Sequence, residues 1–231
     1  MLQLDRLRIV QGDFTLTADL QVPGGVCVAV MGASGDGKST LLAAIAGFLE
    51  PATGRVVWDG EDITGRAPAK RPIAMLFQDQ NLFPHLTVQQ NLMLVLRQRG
   101  RATEAERARV AEALAHVGLT GLEARKPGAL SGGQQSRVAV ARVLLQDKPL
   151  WLLDEPFAAL GPALKQEMLD LVAREAADRG ATVLMVSHDP ADAARIAPLC
   201  LLVAEGAVTG PEDTRSVLAD PPPALRRYLG G

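Results

Sequence analysis

Nine consecutive residues, Gly32-Ala33-Ser34-Gly35-Asp36-Gly37-Lys38-Ser39-Thr40, restrict what this chain can fold into more than any other stretch. They fit the phosphate-binding pattern G-x-x-x-x-G-K-[ST] without a mismatch. An apolar run, Val26–Met31, precedes them, and a helical run, Leu41–Gly47, follows. Strand, glycine loop and helix together make the pattern a site rather than a string match. The glycines let backbone N–H groups curl round an anion, and the helix N-terminus adds partial positive charge. Lys38 is placed to reach the outer phosphates, and the Ser39 hydroxyl to hold Mg²⁺.

The rest of the chain reads as one α/β domain. Its 231 residues suffice for one large core. Arg55–Gly60 looks like a strand ending in an Asp-Gly turn, and Ile73–Phe77 like another strand. From about Val88 to Val117 the pattern turns helical. Thr103-x-x-Glu106 opens an amphipathic helix with a capping box, and Gly118 stops it. Short apolar strands return at Leu150–Leu153, Thr182–Val186 and Leu199–Val203, alternating with helices. That alternation predicts a mainly parallel sheet interrupted by a helical insertion. The tail around Pro221-Pro222-Pro223 is expected to be peripheral.

Composition excludes several classes. A net charge of −2 offers nothing to attract nucleic acid. No apolar run approaches the ~18 residues of a membrane span, and Met1-Leu2-Gln3-Leu4-Asp5-Arg6 does not read as a signal peptide. Cys27 and Cys200 sit inside apolar runs and read as buried free thiols.

Two further segments carry chemistry. Asp154-Glu155-Pro156 ends the apolar strand Leu150–Leu153, and open α/β sheets bind ligands outside the carboxyl ends of their strands. Asp154 is placed to bind Mg²⁺, directly or through water. Glu155 is placed to polarise a water against the terminal phosphate. Leu130-Ser131-Gly132-Gly133-Gln134-Gln135 opens a helix running from Ser136 to Leu145. Ser131-x-x-Gln134 is itself a capping box. Locally, a well-capped surface helix and a second anion-binding N-terminus fit equally well.

Phosphate loop, Leu-Ser-Gly-Gly-Gln and Asp-Glu-Pro strand end, in that order, resemble the ATP-binding subunits of ABC transporters. Gln78 after one strand and His188 after another extend the match, which runs from residue 32 to 188. The resemblance implies a RecA-like core over about 1–84 and 147–231, with an N-terminal antiparallel β portion and a helical subdomain over about 85–146. It implies ATP and Mg²⁺ held by Gly32 to Thr40, with Ser39, Gln78 and Asp154 on the metal and Lys38 on the phosphates. It makes Glu155 the general base and gives His188 a γ-phosphate contact. Ser131, Gly132, Gly133 and Gln134 would meet the ATP of a second copy packed head to tail. Other implied partners are a transmembrane permease, reached through Gln78, and, indirectly, a periplasmic binding protein, at the cytoplasmic face of a bacterial inner membrane. Met75-Leu76-Phe77-Gln78-x-x-Asn81-Leu82-Phe83 and Asp154-Glu155-Pro156-Phe157-x-Ala159-Leu160 look most like importers, and among these like thiamine importers. Importers of polyamines, iron, sulfate or molybdate share much of this wording, and many carry a C-terminal regulatory domain for which this chain is too short. His85 and His116 are expected to be ordinary surface or packing residues.

The chain departs from the family pattern at several positions. Gly161 stands where an Asp usually couples the two nucleotide sites, and Ser136 replaces a common Gln. Asp36 puts a negative charge in the phosphate loop. Facing a phosphate charge at ~6 Å, with an effective dielectric near 20, it would cost roughly 3 kcal/mol. It is therefore expected to point away, toward solvent or a partner. Phe14 stands near where the family stacks adenine on an aromatic; packing is the preferred reading. Two rival functions are a soluble ABC ATPase and a non-catalytic nucleotide-driven dimerisation switch.

Overall fold

The structure, a computed structural model, describes residues 1–79, 81–96 and 102–229. Residues 97–101 of the expected helical stretch fall outside them. The strands are β1 (Leu2–Gln11), β2 (Phe14–Val22), β3 (Cys27–Met31), β4 (Thr53–Trp58), β5 (Glu61–Asp62), β6 (Ile73–Leu76), β7 (Leu150–Asp154), β8 (Thr182–Val186), β9 (Leu199–Ala204) and β10 (Ala207–Asp213). The helices are α1 (Lys38–Ala46), α2 (Val88–Leu96), α3 (Glu104–His116), α4 (Gly132–Leu145), α5 (Pro162–Arg179), α6 (Pro190–Ile196), α7 (Thr214–Ala219) and α8 (Pro223–Leu229).

All ten strands found among the described residues join one sheet, in the order β5-β4-β1-β2-β10-β9-β3-β8-β7-β6. From β9 to β6 every neighbour is parallel. β5, β4, β1 and β2 pair antiparallel, and β10 turns back on β9. Among the described residues five of the nine strand pairings are parallel, and the expected N-terminal antiparallel portion extends the sheet on one side. The central strands read as unbroken apolar runs because both of their faces are covered. Alternation by two then sorts the side chains. Val28, Val30, Leu150 and Leu152 join one apolar cluster, with Leu41, Leu42 and Ile45 of α1. Ala29, Met31, Trp151 and Leu153 join the other, with Val88, Val110 and Val138 from the helical segment.

Among the described residues the expected helical stretch comprises α2 and α3, and a capping box starts α3. Thr103 Oγ1 accepts from Glu106 N at 3.2 Å, and Thr103 N donates to Glu106 Oε2 at 2.7 Å. Ser131 and Gln134 make the same reciprocal pair at the start of α4, at 3.2 and 3.0 Å. The tail is less peripheral than expected, because Leu225 on α8 is fully buried against the core. Among the described residues, no helix is long and apolar enough to cross a membrane.

Arg71 is a buried cation held by carbonyls alone. Its guanidinium donates to Ala44 O (3.1 Å), Ile45 O (2.7 Å), Thr64 O (2.6 Å) and Arg66 O (3.0 Å). Two of these carbonyls lie in the last turn of α1, where Ala44 O also accepts from Gly47 N at 3.1 Å and the helix dipole favours a cation. Arg71→Met should lower the free energy of unfolding by about 2–4 kcal/mol, since it strands several buried acceptors at once. A chemical-denaturation midpoint unchanged by the substitution would contradict this.

Candidate nucleotide site

The phosphate loop follows β3, Glu155 follows β7, His188 follows β8, and Gln78 lies two residues past β6. These four parallel strands are consecutive neighbours in the sheet. Their carboxyl ends therefore bring segments distant in sequence to one edge. A cavity of about 280 Å³ lies there, lined by Ser34, Gly35, Gly37, Lys38, Ser39, Thr40, Gln78, Glu155 and His188.

Two glycines in the loop are fixed by close approach. Gly32 has φ +152, and a Cβ on it would sit 2.2 Å from the Val203 carbonyl oxygen. Gly37, the N-cap of α1, has φ +101, and its missing Cβ leaves room for the Phe14 ring, which would lie 2.5 Å away. Phe14 therefore packs beneath the phosphate loop and against the apolar cluster. Lys38 is buried, and its Nζ donates to Gly32 O at 2.9 Å and to Ala33 O at 2.7 Å. Burial lowers the ammonium's proton affinity, while Asp36, Glu155 and Asp154 act to raise it, leaving a net downward shift.

Asp36 does not point where expected. Its Oδ2 turns back into the loop and accepts from Ala33 N at 2.9 Å. A carboxylate one residue from Gly37 finds an N–H within its own turn, and that local bond outweighs exposure to solvent. Asp36→Asn keeps an acceptor for Ala33 N and removes the charge from a loop that must receive phosphates. The KM for ATP is expected to fall about tenfold, a fraction of the full like-charge cost. A KM that rises or stays level would show that the charge itself is not felt by the nucleotide.

Asp154 is buried at the end of β7, and its Oδ1 has no hydrogen-bond partner among the described residues. Burial pushes its carboxyl above the usual carboxylate range; the Ser39 hydroxyl pulls it back in part. An orphaned buried carboxylate oxygen beside a serine hydroxyl, with the Gln78 amide on the same cavity, is a set of hard oxygen donors suited to Mg²⁺.

Glu155 has φ +46, in the left-handed region that a side-chain-bearing residue rarely adopts. Such strain concentrates at functional sites. Glu155 Oε1 is paired with His188 Nε2.

Ser131, Gly132, Gly133 and Gln134 do not line this cavity. They lie beside the segment after Glu155: the Cβ position of Gly132 is 3.7 Å from Ala159 Cβ, and that of Gly133 is 3.0 Å from Leu160 Cδ2. Gly161 is the N-cap of α5 and offers no side-chain oxygen to the helix. The Ser136 hydroxyl is fully buried and donates back to Gly132 O at 3.2 Å.

Sequence reasoning missed several residues that hold the site together. Asn91 pins the segment after Gln78: its Nδ2 donates to Phe83 O, Leu86 O and Thr87 O, and its Oδ1 accepts from Phe83 N. Arg142 on α4 donates to Asn81 O at 2.8 Å. Lys165 on α5 bridges Asp189 and Asp192. A polar Asn within the apolar period of α2 was the available signal for the first; the other two carried none.

Comparison with known proteins gives the family. The ABC transporter family model matches residues 16–158. The thiamine import ATP-binding protein ThiQ of Cereibacter sphaeroides is 60% identical over 230 residues, covering 100% of both chains. Its counterpart in Ruegeria sp. is 57% identical, again over 100% of both. A solved dimeric ATP-binding cassette in a post-hydrolysis state, bound to ADP and Pi, superposes with a TM-score of 0.83 at 30% identity, covering 93% of this chain and 99% of that one. With the family's phosphate loop, its Ser-Gly-Gly-Gln helix and its Asp-Glu strand end all in place, this chain belongs to the ABC transporter family.

Proposed function

We propose that this chain is the ATP-hydrolysing subunit of an importer and that its cargo is thiamine or a thiamine phosphate ester. The observation that carries the hydrolytic reading is the convergence of Lys38, Glu155 and His188 on one cavity, with Asp154 buried beside Ser39. The cargo rests on the names of full-length relatives at 60% and 57% identity.

The phosphate-loop N–H groups and the N-terminus of α1 receive the phosphate chain, and the Lys38 ammonium transfers from the Gly32 and Ala33 carbonyls to phosphate oxygens. Ser39, Asp154 and Gln78 would hold Mg²⁺, which supplies charge neutralisation on the phosphates. Glu155 accepts the proton of the attacking water, and His188 orients that carboxylate and contacts the terminal phosphate. Ser131, Gly132, Gly133 and Gln134 lie off this cavity, which supports their use on the nucleotide of a second copy. We further infer that residues 85–146 form a subdomain that relays this closure. Phe48 and Phe83 are exposed beside the Gln78 segment, Phe48 stacking edge-on against Phe77 at 5.2 Å, and Leu94 is exposed on α2. Exposed apolar side chains of this kind mark a surface that a partner covers, and a membrane permease is the partner this reading requires.

The test is to tag the chain in its native cell, solubilise membranes gently and identify what copurifies. A stoichiometric multi-span permease, in a complex whose ATPase rate rises with a thiamine-loaded binding protein, is the expected result. Recovery from the soluble fraction without a membrane protein would overturn the importer reading; stimulation by another solute alone would overturn the cargo.

A further inference from the structure

We propose that Lys165 is a positioning residue for His188: its ammonium straps the loop carrying the imidazole to the first turn of α5, and so sets where His188 meets Glu155. The proposal rests on the roles given above to Glu155 and His188.

Lys165 Nζ donates to Asp189 Oδ2 at 2.8 Å and lies 2.9 Å from Asp192 Oδ1. Asp189 directly follows His188, and its other oxygen accepts from Ala191 N at 2.9 Å, capping α6. On the other flank, Ser187 Oγ donates to Asp192 Oδ2 at 2.7 Å and accepts from Asp189 N at 3.1 Å. Both neighbours of His188 are thus tied to a single cation. That cation belongs to the helix whose N-cap, Gly161, lies a few residues beyond Glu155. The strap therefore links the segment that carries the base to the loop that carries its histidine.

An exposed ion pair would contribute little here. This one is a network whose inner pair is shielded: the side chains of Lys165 and Asp192 retain 21% and 11% exposure, while that of Asp189, on the outer side, retains 46%. Burial acts to lower the Lys165 ammonium's proton affinity, but its bonds to Asp189 and Asp192 outweigh that and hold it above its usual value. Next to the strap lies a cavity of about 180 Å³, lined by Glu155, Phe157, Lys165, Met185 and His188 among others. A loop beside open space has room to shift, whereas a close-packed one does not. The charged strap supplies the fixity that packing leaves out.

The experiment measures ATPase kcat and KM of the purified chain as wild type, K165M, K165R, H188A and the K165M/H188A pair, with thermal unfolding of each. K165M should lower kcat about tenfold to a hundredfold, the range a misplaced catalytic group produces, while leaving KM within about twofold. K165R should restore most of the rate, because a guanidinium can still bridge two carboxylates. Adding K165M to H188A should cost less than about twofold, since both changes remove the same function. A K165M kcat within twofold of wild type overturns the proposal. So does a full K165M penalty in the H188A background, which would mark Lys165 as merely structural. If H188A itself keeps wild-type kcat, the role given to His188 fails along with it. Should K165M unfold, K165R against H188A still decides: a K165R kcat as low as that of H188A, in a chain that melts normally, overturns it too.

Discussion

Glu155→Gln should lower ATP turnover by about 10²- to 10⁴-fold, the range that a lost general base accounts for, while ATP still binds. The amide keeps the shape of the carboxylate and a partner for His188 Nε2, but it cannot take a proton from water. The phosphate loop, Lys38 and Asp154 are untouched, so the phosphates are gripped as before. In the proposed cycle reopening follows hydrolysis, so the expected consequence is a dimer that forms with ATP and does not reopen. Steady-state phosphate release and size-exclusion chromatography with and without ATP measure both halves. Turnover near the wild-type rate would remove Glu155 from the role of base and leave its left-handed backbone without a catalytic reason.

Lys38→Ala should weaken ATP binding by about 10²-fold or more. Hydrogen bonds from a charged donor contribute roughly 1.5–3 kcal/mol each, and the Nζ now directed at two loop carbonyls is free to make two of them to phosphate. The loss extends past those bonds. Asp36, Glu155 and Asp154 all act electrostatically on Lys38, so removing it leaves three carboxylates around a site that must accept a polyanion. Arginine should not rescue, because the buried position fits a slim stem and a compact charge. Titration calorimetry with ATP, and with adenosine as a control lacking phosphates, isolates the effect. Equal weakening for both ligands would mean that the substitution damages the loop rather than the phosphate grip.

The fold was legible in the sequence where contacts are local. The capping boxes at Thr103 and Ser131 close between residues three apart, and a short window of sequence contains both halves. The central strands were legible because burial on both faces leaves an unbroken apolar run. The antiparallel return of β10 on β9 was not anticipated, since its tight turn at Glu205-Gly206 lies within a stretch of mixed polarity. Burial of Leu225 was hidden by the prolines beside it, which read as a chain leaving the core.

The site divides in the same way. The sequence by itself picked out the residues proposed for the chemistry, because a phosphate loop and a strand-end acid pair are contiguous motifs with a local mechanism. Only the tertiary structure decided how those residues are held. It turned Asp36 inward onto Ala33, set Phe14 beneath Gly37, capped α1 with Arg71 and strapped the His188 loop with Lys165. Apart from the Asp36 turn, these contacts join residues more than twenty positions apart through hydrogen bonds, charges and packing that have no period and no spacing. Such pairs exist only once the sheet order has brought their strands and helices together.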